Sequence, residues 1–197
     1  MKADTYKTLA QASPQSLFKD RGSKFIGMAF PVQSTEEAKR IIKEVKSRYH
    51  DARHWCYAYR IGKPGRIEER ANDDGEPARS AGAPILNQIR NFDLTDTLVV
   101  VVRYFGGVKL GVGGLIQAYK TAAKETLTQA EIIEKEILIP LEISFPYEKM
   151  NEVMRYVKQL NLQVMERGGG MNAYLKLGIR PAQRDEVFEK FVRWIVK

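Results

Sequence analysis

The strongest constraint on how this chain folds lies near its middle, where an apolar run passes directly into a glycine-rich loop. The run TLVVVVRYF begins at Thr97, and its unbroken hydrophobicity is typical of a strand buried on both faces. Five glycines follow between Gly106 and Gly114. The next segment, LIQAYKTAAKETL, repeats apolar residues at the spacing of a helix. The sequence therefore predicts a buried strand, a turn with little side-chain bulk, and a helix, in that order.

This glycine loop matches neither of the two common phosphate-binding fingerprints. Gly106 and Gly111 have the spacing of a nucleotide-hydrolysing loop, but Val112 and Gly113 stand where a Lys and a Ser or Thr must be. Gly111 and Gly113 also open a dinucleotide-binding pattern, but Ile116 occupies the third glycine position. Backbone N–H groups at a helix start still suit an anion. The alternative is a tight turn that lets the helix pack closely on a sheet.

A second motif, ANDDGEPARSAG, carries Asp73, Asp74 and Glu76 within four residues. Clustered carboxylates of this kind can hold Mg²⁺ or Ca²⁺. They can equally belong to a turn in which each carboxylate accepts backbone N–H groups or pairs with an arginine. The alternating acidic residues of a twelve-residue calcium loop are absent from the sequence. The motif leaves a metal site and a structural turn as alternatives.

A third group of candidate residues lies on the predicted strand HWCYAYRI. His54 and Cys56 are two residues apart and so share one face of that strand. They could form a Cys–His nucleophile pair, or Cys56 could be a small core residue. Because Cys56 is the only cysteine, the sequence excludes an intrachain disulfide and a cysteine-built zinc site. An enzymatic alternative would draw on a set of polar candidates: His54, Asp73, Asp74, Glu76 and Ser80.

Composition narrows the class of partner. The chain has 32 Lys and Arg against 24 Asp and Glu, a net charge of +8. A basic balance favours anionic partners such as nucleic acid. Neither the start of the chain nor any later segment has an apolar run near the ~18 residues of a membrane span. We therefore expect a cytoplasmic protein with no membrane partner, and we predict no cofactor.

The hydrophobic pattern changes near residue 135, which predicts two domains, 1–135 and 136–197. In the first, Ser34 and Glu37 form a capping box at the start of a helix. In the second, the order is strand, helix, hairpin and closing helix, with the hairpin placed around the glycines at 168–170. This βαββα order indicates a ferredoxin-like sandwich that lacks its final strand.

Three motifs taken together, HWCYAYR, DDGEPxxSAGxPIL and VRYFGGVKLGVGGL, resemble the Impact family and its bacterial YigZ-like members. The resemblance covers nearly the whole chain. It implies an α+β protein in which a ribosomal protein S5 domain 2-like domain precedes a ferredoxin-like domain. These two domains are akin to domains IV and V of elongation factor G.

The resemblance also implies a role in translation. Eukaryotic members of the family are associated with translational control through a protein partner, and the fold similarity suggests RNA or ribosome binding. The sequence departs from the family pattern at Ala78-Arg79-Ser80, where Gly-Thr is common, and at Gln117, where Arg is common. The second departure removes one positive charge beside the glycine loop.

The leading hypothesis is a non-enzymatic, translation-associated protein that binds RNA or a ribosomal surface. The predicted anion contacts are Arg103, Gly106, Gly107, Lys109, Gly111, Gly113, Gly114 and Lys120, with Arg53, Arg60 and Arg79 as secondary contacts. A protein partner in translational control is a further expectation. The alternative is an enzyme that acts on a small anionic substrate in a cleft between the DDGEP and glycine-loop motifs.

Overall fold

The computed structural model describes residues 5–63 and 65–196, and it has the α+β fold that the sequence predicts. The chain divides into two compact units. The first spans Tyr6–Lys135, and the second spans Glu136–Lys197 and includes Thr5. No helix in the described ranges is long and apolar enough to cross a membrane.

The strands and helices follow one another in this order: β1 (Thr5–Leu9), β2 (Ser16–Asp20), β3 (Ser23–Pro31), α1 (Thr35–Arg48), β4 (His54–Lys63), β5 (Arg66–Asn72), α2 (Gly82–Asn91), β6 (Thr97–Tyr104), α3 (Gly111–Thr128), β7 (Ile132–Glu136), β8 (Ile139–Phe145), α4 (Met150–Gln159), β9 (Gln163–Gly169), β10 (Ala173–Ile179) and α5 (Arg184–Phe191).

The first unit is built on a five-stranded antiparallel sheet in the order β2-β3-β6-β4-β5. The apolar run TLVVVV lies in its central strand, β6, as predicted. Side chains alternate along this strand, so Val99 and Val101 pack against α2 and α3 while Val100 and Val102 pack on the side of α1. The unit therefore has three layers, with α1 on one face of the sheet and α2 and α3 on the other.

Local sequence signals explain where the elements of this unit begin. The hydroxyl of Ser34 accepts a hydrogen bond from the Glu37 N–H at 3.2 Å, and the Glu37 carboxylate accepts from the Gln33 N–H at 2.8 Å. This capping arrangement satisfies donors that the first turn of α1 leaves free. A tight turn at Arg21 and Gly22, both with positive φ, joins β2 to β3 in a hairpin.

The second unit has the predicted βαββα order, with strands in the sheet order β8-β10-β9. Its core is a single apolar cluster that includes Phe145, Val153, Leu177 and Phe191. The turn of the β9–β10 hairpin lies two residues later than expected, because Gly168 and Gly169 pair with β10.

Two strand pairings in the structure were not expected from the sequence. β1 and β7 form a separate two-stranded sheet, although more than a hundred residues separate them. In the second unit, Ile195 forms an isolated antiparallel bridge with Ile143 of β8, and the Val196 N–H donates to the Glu142 carbonyl at 3.0 Å. A short piece of extended chain thus runs along the edge of β8, beside which the final strand of a complete ferredoxin-like sheet would lie.

Candidate nucleic-acid interface

The glycine loop joins the end of β6 to the start of α3, and its glycines serve different purposes. Gly106 approaches another backbone so closely that a Cβ atom on it would lie 1.9 Å from the Gly22 carbonyl carbon. Its N–H also donates to the Ser23 hydroxyl at 3.2 Å. Gly107 and Gly111 have positive φ angles of 91° and 73°, which side chains disfavour. These three glycines are therefore required by the backbone.

The remaining two glycines of the loop motif lie in the first turn of α3. A Cβ atom on Gly113 would meet nothing within 4 Å, and its φ is not positive. One on Gly114 would meet only the Leu110 Cβ, at 3.0 Å. The residue before α3 is Leu110, whose side chain cannot cap the helix, and no side chain caps it there. Among the described residues, no side chain accepts a hydrogen bond from the first-turn N–H groups of this 18-residue helix.

The DDGEP motif is a loop whose carboxylates point to different partners. Asp73 accepts hydrogen bonds from the N–H groups of Arg79, Ala81 and Gly82 at 2.8, 3.0 and 2.9 Å. Because α2 begins at Gly82, Asp73 places a negative charge at the start of that helix, where it is favourable. Asp73 thus fixes the loop to the helix.

Asp74 stabilises the opposite side of the same loop. Its carboxylate accepts from the Lys46 ammonium at 2.7 Å and from the Trp55 N–H at 2.9 Å. Its own N–H donates to the side-chain oxygen of Asn72 at 2.8 Å, and its φ of 44° lies in the left-handed region. The DDGEP loop is therefore tied to α1 and β4 as well as to α2.

Glu76 points into the unit and is part of a buried polar network. Its Oε1 accepts from Arg103 Nη1 at 2.6 Å and from the Tyr119 hydroxyl at 2.8 Å. The Cys56 thiol lies 3.2 Å from the Tyr119 oxygen and donates to the Asp73 carbonyl at 3.0 Å. Burial is the main cause that raises the pKa of Cys56 and the pKa of Tyr119 well above their ordinary values. The network links β4, β6, α3 and the DDGEP loop.

The three carboxylates of the DDGEP loop therefore do not converge on one point. Within residues 5–63 and 65–196, no three His, Cys, Asp or Glu side chains form a group that could hold a metal ion.

The other candidates for catalysis also have structural partners. His54 Nδ1 lies 2.9 Å from the Asp74 carbonyl, and the buried Ser80 hydroxyl donates to the Pro77 carbonyl at 2.7 Å. His54 and Cys56 both face the DDGEP loop, as expected for one strand face. Each contacts a different carbonyl of that loop. The geometry accordingly gives His54, Cys56 and Ser80 roles in holding the loop on β4.

The structure separates the predicted basic contacts into two groups. Arg103 is only 5% exposed and is paired with Glu76, while Arg60 donates to Glu69 and to the Leu94 carbonyl, both at 3.0 Å. The exposed members of the set form no ion pair within the part of the chain that the structure describes: Arg53, Arg79, Lys109 and Lys120. Only this second group offers free positive charge to a partner.

Three adjoining hollows lie between these exposed cations. Arg103 and Phe105 line two of them, one of about 540 Å³ beside Arg53 and one of about 280 Å³ beside Lys109. The third, of about 520 Å³, lies between α2 and α3 beside Arg79 and Lys120. Val112 lines the second hollow and Ile116 the third, and the two are one turn apart on α3. The hollows therefore belong to one continuous surface.

This surface, which we call the glycine-loop face, is defined by Arg53, Arg79, Phe105, Lys109 and Lys120. Phe105 lines two of the three hollows and is 51% exposed. The acidic residues that line the three hollows are Asp51 and Glu76. Asp51 accepts from the Tyr104 hydroxyl at 2.6 Å, a bond that lowers the pKa of Asp51 and raises the pKa of Tyr104 to about 12. Free charge on the face is therefore predominantly positive.

Phe105 and Tyr119 are site residues that the sequence did not single out. Tyr119 was expected only as a core residue of its helix, and its place in the polar network depends on Glu76, 43 residues earlier. The run TLVVVVRYF predicted a strand buried through Phe105, but β6 ends at Tyr104 and Phe105 is 51% exposed. Its exposure follows from the chain leaving the sheet at that point.

This chain is similar to known proteins both in sequence and in structure. Residues 21–127 match the Impact N-terminal domain. The chain is 34% identical to the IMPACT family member YvyE of Bacillus subtilis over 82% of this chain and 74% of that protein. It is 38% identical to the protein IMPACT homolog of Saccharomyces cerevisiae over 47% of this chain and 36% of that protein. A crystal structure described as that of a hypothetical protein has a TM-score of 0.74 and 27% identity, covering 97% of this chain and 93% of that one.

Proposed function

Because the chain belongs to the Impact family, we propose that it is a translation-associated regulator that binds RNA or a ribosomal surface through the glycine-loop face. The family resemblance supports the translational role, since eukaryotic members are associated with translational control through a protein partner. A protein partner is therefore part of this proposal. The S5-like and elongation-factor-like descriptions of the domains stay predictions.

The observation that carries the proposal is the group of four unpaired cations around an exposed aromatic ring. In the described part of the chain, Arg53, Arg79, Lys109 and Lys120 are exposed and form no ion pair, and the half-exposed Phe105 lines the hollows beside Arg53 and Lys109. Free cations neutralise phosphates, and an exposed ring stacks on bases of a single strand. Arg103 and Arg60, which the sequence also suggested, are already paired and do not count toward this charge.

Salt dependence of binding to a short single-stranded RNA tests the proposal. Each phosphate contact contributes about 0.7 to the slope of log affinity against log salt for single strands. Lys109→Ala and Lys120→Ala should each reduce the slope by about that amount. Lys43→Ala is the matched control, because Lys43 is an exposed lysine on α1, across the sheet from α3.

The outcomes separate cleanly. A slope reduced by the two variants and unchanged by the control supports binding through the glycine-loop face. An affinity that does not vary with salt, or an equal effect of Lys43→Ala, would overturn it. Co-sedimentation with ribosomes, repeated with the same three variants, extends the test to a ribosomal surface.

A further inference from the structure

We propose that the hollow between the DDGEP loop and the start of α3 binds one nucleotide, with its phosphate at the helix start and its base against Phe105. This deepens the proposed function, on which it rests, by assigning a ligand to one part of the glycine-loop face. A free nucleotide and one unit of an RNA strand carry the same phosphate and base, and competition between them distinguishes the two sources.

The size of the hollow suits one small ligand. Its volume is about 280 Å³, just below the ~300–1,000 Å³ typical of small-molecule pockets. Glu76 and Pro77 of the DDGEP loop form part of the wall, and the glycine loop with the first turn of α3 forms the rest. The DDGEP motif and the glycine-loop motif therefore both line this hollow.

The start of α3 provides donors for a phosphate. Gly111 and Val112 line the hollow, and no side chain caps the helix they begin. Free N–H groups and the positive end of the helix dipole favour an anion here. Lys109 also lines the hollow and is exposed without an ion pair in the described residues.

Arg103 gives an independent indication of a ligand. Its side chain lines the hollow and is 6% exposed. Its Nε is buried and has no hydrogen-bond partner among the described residues. Buried donors are almost always satisfied, so one without a partner, in a side chain that lines a pocket, calls for an explanation. An anion held in the hollow would provide the missing acceptor.

The negative charge of Glu76 does not oppose this assignment. Its carboxylate is 4% exposed and already accepts from Arg103 Nη1 and from the Tyr119 hydroxyl. The opposite charges of Arg103 and Glu76 compensate each other, so Lys109 and the start of α3 determine the sign of the electrostatic potential in the hollow. That sign is positive, which selects an anionic group.

The other walls of the hollow suit a base. Phe105 is 51% exposed, and Val112 is 52% exposed beside it. The Arg103 guanidinium lies 5.6 Å from the Phe105 ring centroid and supports the ring from within. Aromatic rings of this kind stack on bases with little preference among them. Because Val112 and Gly113 replace the Lys and Ser/Thr of a hydrolysing loop, the nucleotide would be held and not cleaved.

Calorimetric titration of the whole chain with adenosine monophosphate tests the proposal. Adenosine monophosphate should bind at one site, and adenosine and inorganic phosphate should each bind more weakly. Phe105→Ala should weaken binding about 5- to 140-fold through lost stacking. Lys109→Ala should weaken it about tenfold. Both side chains are exposed, so neither change threatens the fold. Lys43→Ala should leave the affinity unchanged.

Failure of this proposal can be told from failure of the proposed function. If adenosine monophosphate does not bind while RNA binds with a Lys120-dependent salt slope, the nucleotide site is overturned and the RNA-binding face stands. Adenosine binding as tightly as its monophosphate would also overturn it. If the monophosphate binds as expected and RNA does not, the nucleotide site stands alone.

Competition identifies the source of the nucleotide. A short single-stranded RNA that displaces adenosine monophosphate, and whose own affinity falls in Phe105→Ala, supports a unit of RNA as the occupant. If the RNA does not displace adenosine monophosphate, and binding of the monophosphate still depends on Phe105, the result supports a free nucleotide as the occupant. Both results uphold the site.

Discussion

The two units of this protein differ most in what they bury. The buried polar and charged residues of the described chain all lie in Tyr6–Lys135: Thr8, Ser16, Ser23, Ser80, Gln88, Thr95, Asp96, Thr97, Arg103 and Thr126. The core of the second unit is an apolar cluster from β8, β9, β10, α4 and α5. Both units have two or more helices packed on an antiparallel sheet, so the difference does not follow from the architecture alone.

This contrast indicates that the polar side chains of the first unit do more than maintain its fold. Burying a polar group is unfavourable unless it is hydrogen-bonded, and burying a charge is more so. The first unit uses polar side chains to fix the DDGEP loop, because Asp73 accepts from an N–H group at the start of α2 and Glu76 pairs with the buried Arg103 of β6. The second unit follows the simpler rule of an apolar interior. Its helices α4 and α5 have no side-chain cap.

The largest expected effect comes from removing one partner of the buried ion pair. Glu76→Ala leaves the Arg103 guanidinium buried without its carboxylate, which should lower the free energy of unfolding of the first unit by about 3–5 kcal/mol. The matched control is Glu136→Ala, which breaks an exposed pair with Arg180 in the second unit and should cost about 0–1 kcal/mol. Urea unfolding measures both.

The two tryptophans allow each unit to be followed separately. Trp55 lies in the first unit and Trp194 in the second, so fluorescence in Trp194→Phe and Trp55→Phe backgrounds reports one unit at a time. Equal costs for Glu76→Ala and Glu136→Ala would remove the contrast between the units. Glu76→Leu combined with Arg103→Met should recover most of the lost stability, because well-packed apolar residues can replace a buried pair.

Substitution of single glycines should change the free energy of unfolding less than loss of the buried ion pair does. Gly106→Ala would place its Cβ 1.9 Å from a backbone atom of Gly22, which cannot move aside, and should cost about 1–3 kcal/mol. Gly113→Ala meets nothing within 4 Å and should stabilise α3 by up to about 1 kcal/mol. Thermal unfolding of the two variants checks this difference in sign.

The second unit again provides the comparison. A Cβ on Gly169 would meet the Tyr147 hydroxyl at 2.3 Å, but this is the end of a side chain that is 54% exposed and can rotate away. Gly169→Ala should therefore cost less than Gly106→Ala. The reverse order would show that the glycine loop is not held by close backbone contact.

Alkaline pH should weaken the first unit selectively. Burial raises the pKa of the Cys56 thiol above 9.0 and that of the Tyr119 hydroxyl above 10.0, so the unfolded chain loses these protons first. The stability they contribute is complete below those values and falls as pH rises, by about 1.4 kcal/mol per pH unit for each group. Unfolding measured at pH 8 and pH 10 should show a loss of about 1–2 kcal/mol in the Trp55 signal.

Cys56→Ala separates the two contributions. This variant should retain the Tyr119 part of the pH dependence and lose the thiol part. A Trp194 signal that falls as steeply as the Trp55 signal would mean that the buried groups of the first unit are not the cause, since the second unit has no cysteine.

The smallest effect concerns helix caps. Ser34→Ala removes the acceptor for the Glu37 N–H at the start of α1 and should cost about 1 kcal/mol in the first unit. Lys149→Ala, at the same place before α4, removes no cap and should change the second unit by less than about 0.5 kcal/mol. Chemical denaturation with the single-tryptophan backgrounds resolves the two. A cost for Lys149→Ala as large as that for Ser34→Ala would contradict the assignment of caps.

Much of the fold could be predicted from short-range patterns. The central strand, the cap at Ser34, the hairpin at Gly22 and the βαββα order of the second unit all follow from periodicity and turn chemistry. Pairing of β1 with β7 could not, because each strand is short and its partner lies more than a hundred residues away. The isolated bridge between Ile195 and Ile143 could not be predicted either, because a single pair of residues leaves no periodic pattern in the sequence.

For the candidate site, too, some features follow from short-range sequence patterns and others depend on contacts between distant residues. By itself the sequence determined which residues could meet an anion: a glycine loop at a helix start, and basic residues around it. Only the tertiary structure decided which of them are free to do so. Arg103 and Lys109 belong to one motif, yet Arg103 is buried against Glu76, 27 residues earlier, while Lys109 is exposed. The reason is physical, since a charge is available to a partner only where no opposite charge has been brought to it, and that depends on contacts between distant parts of the chain.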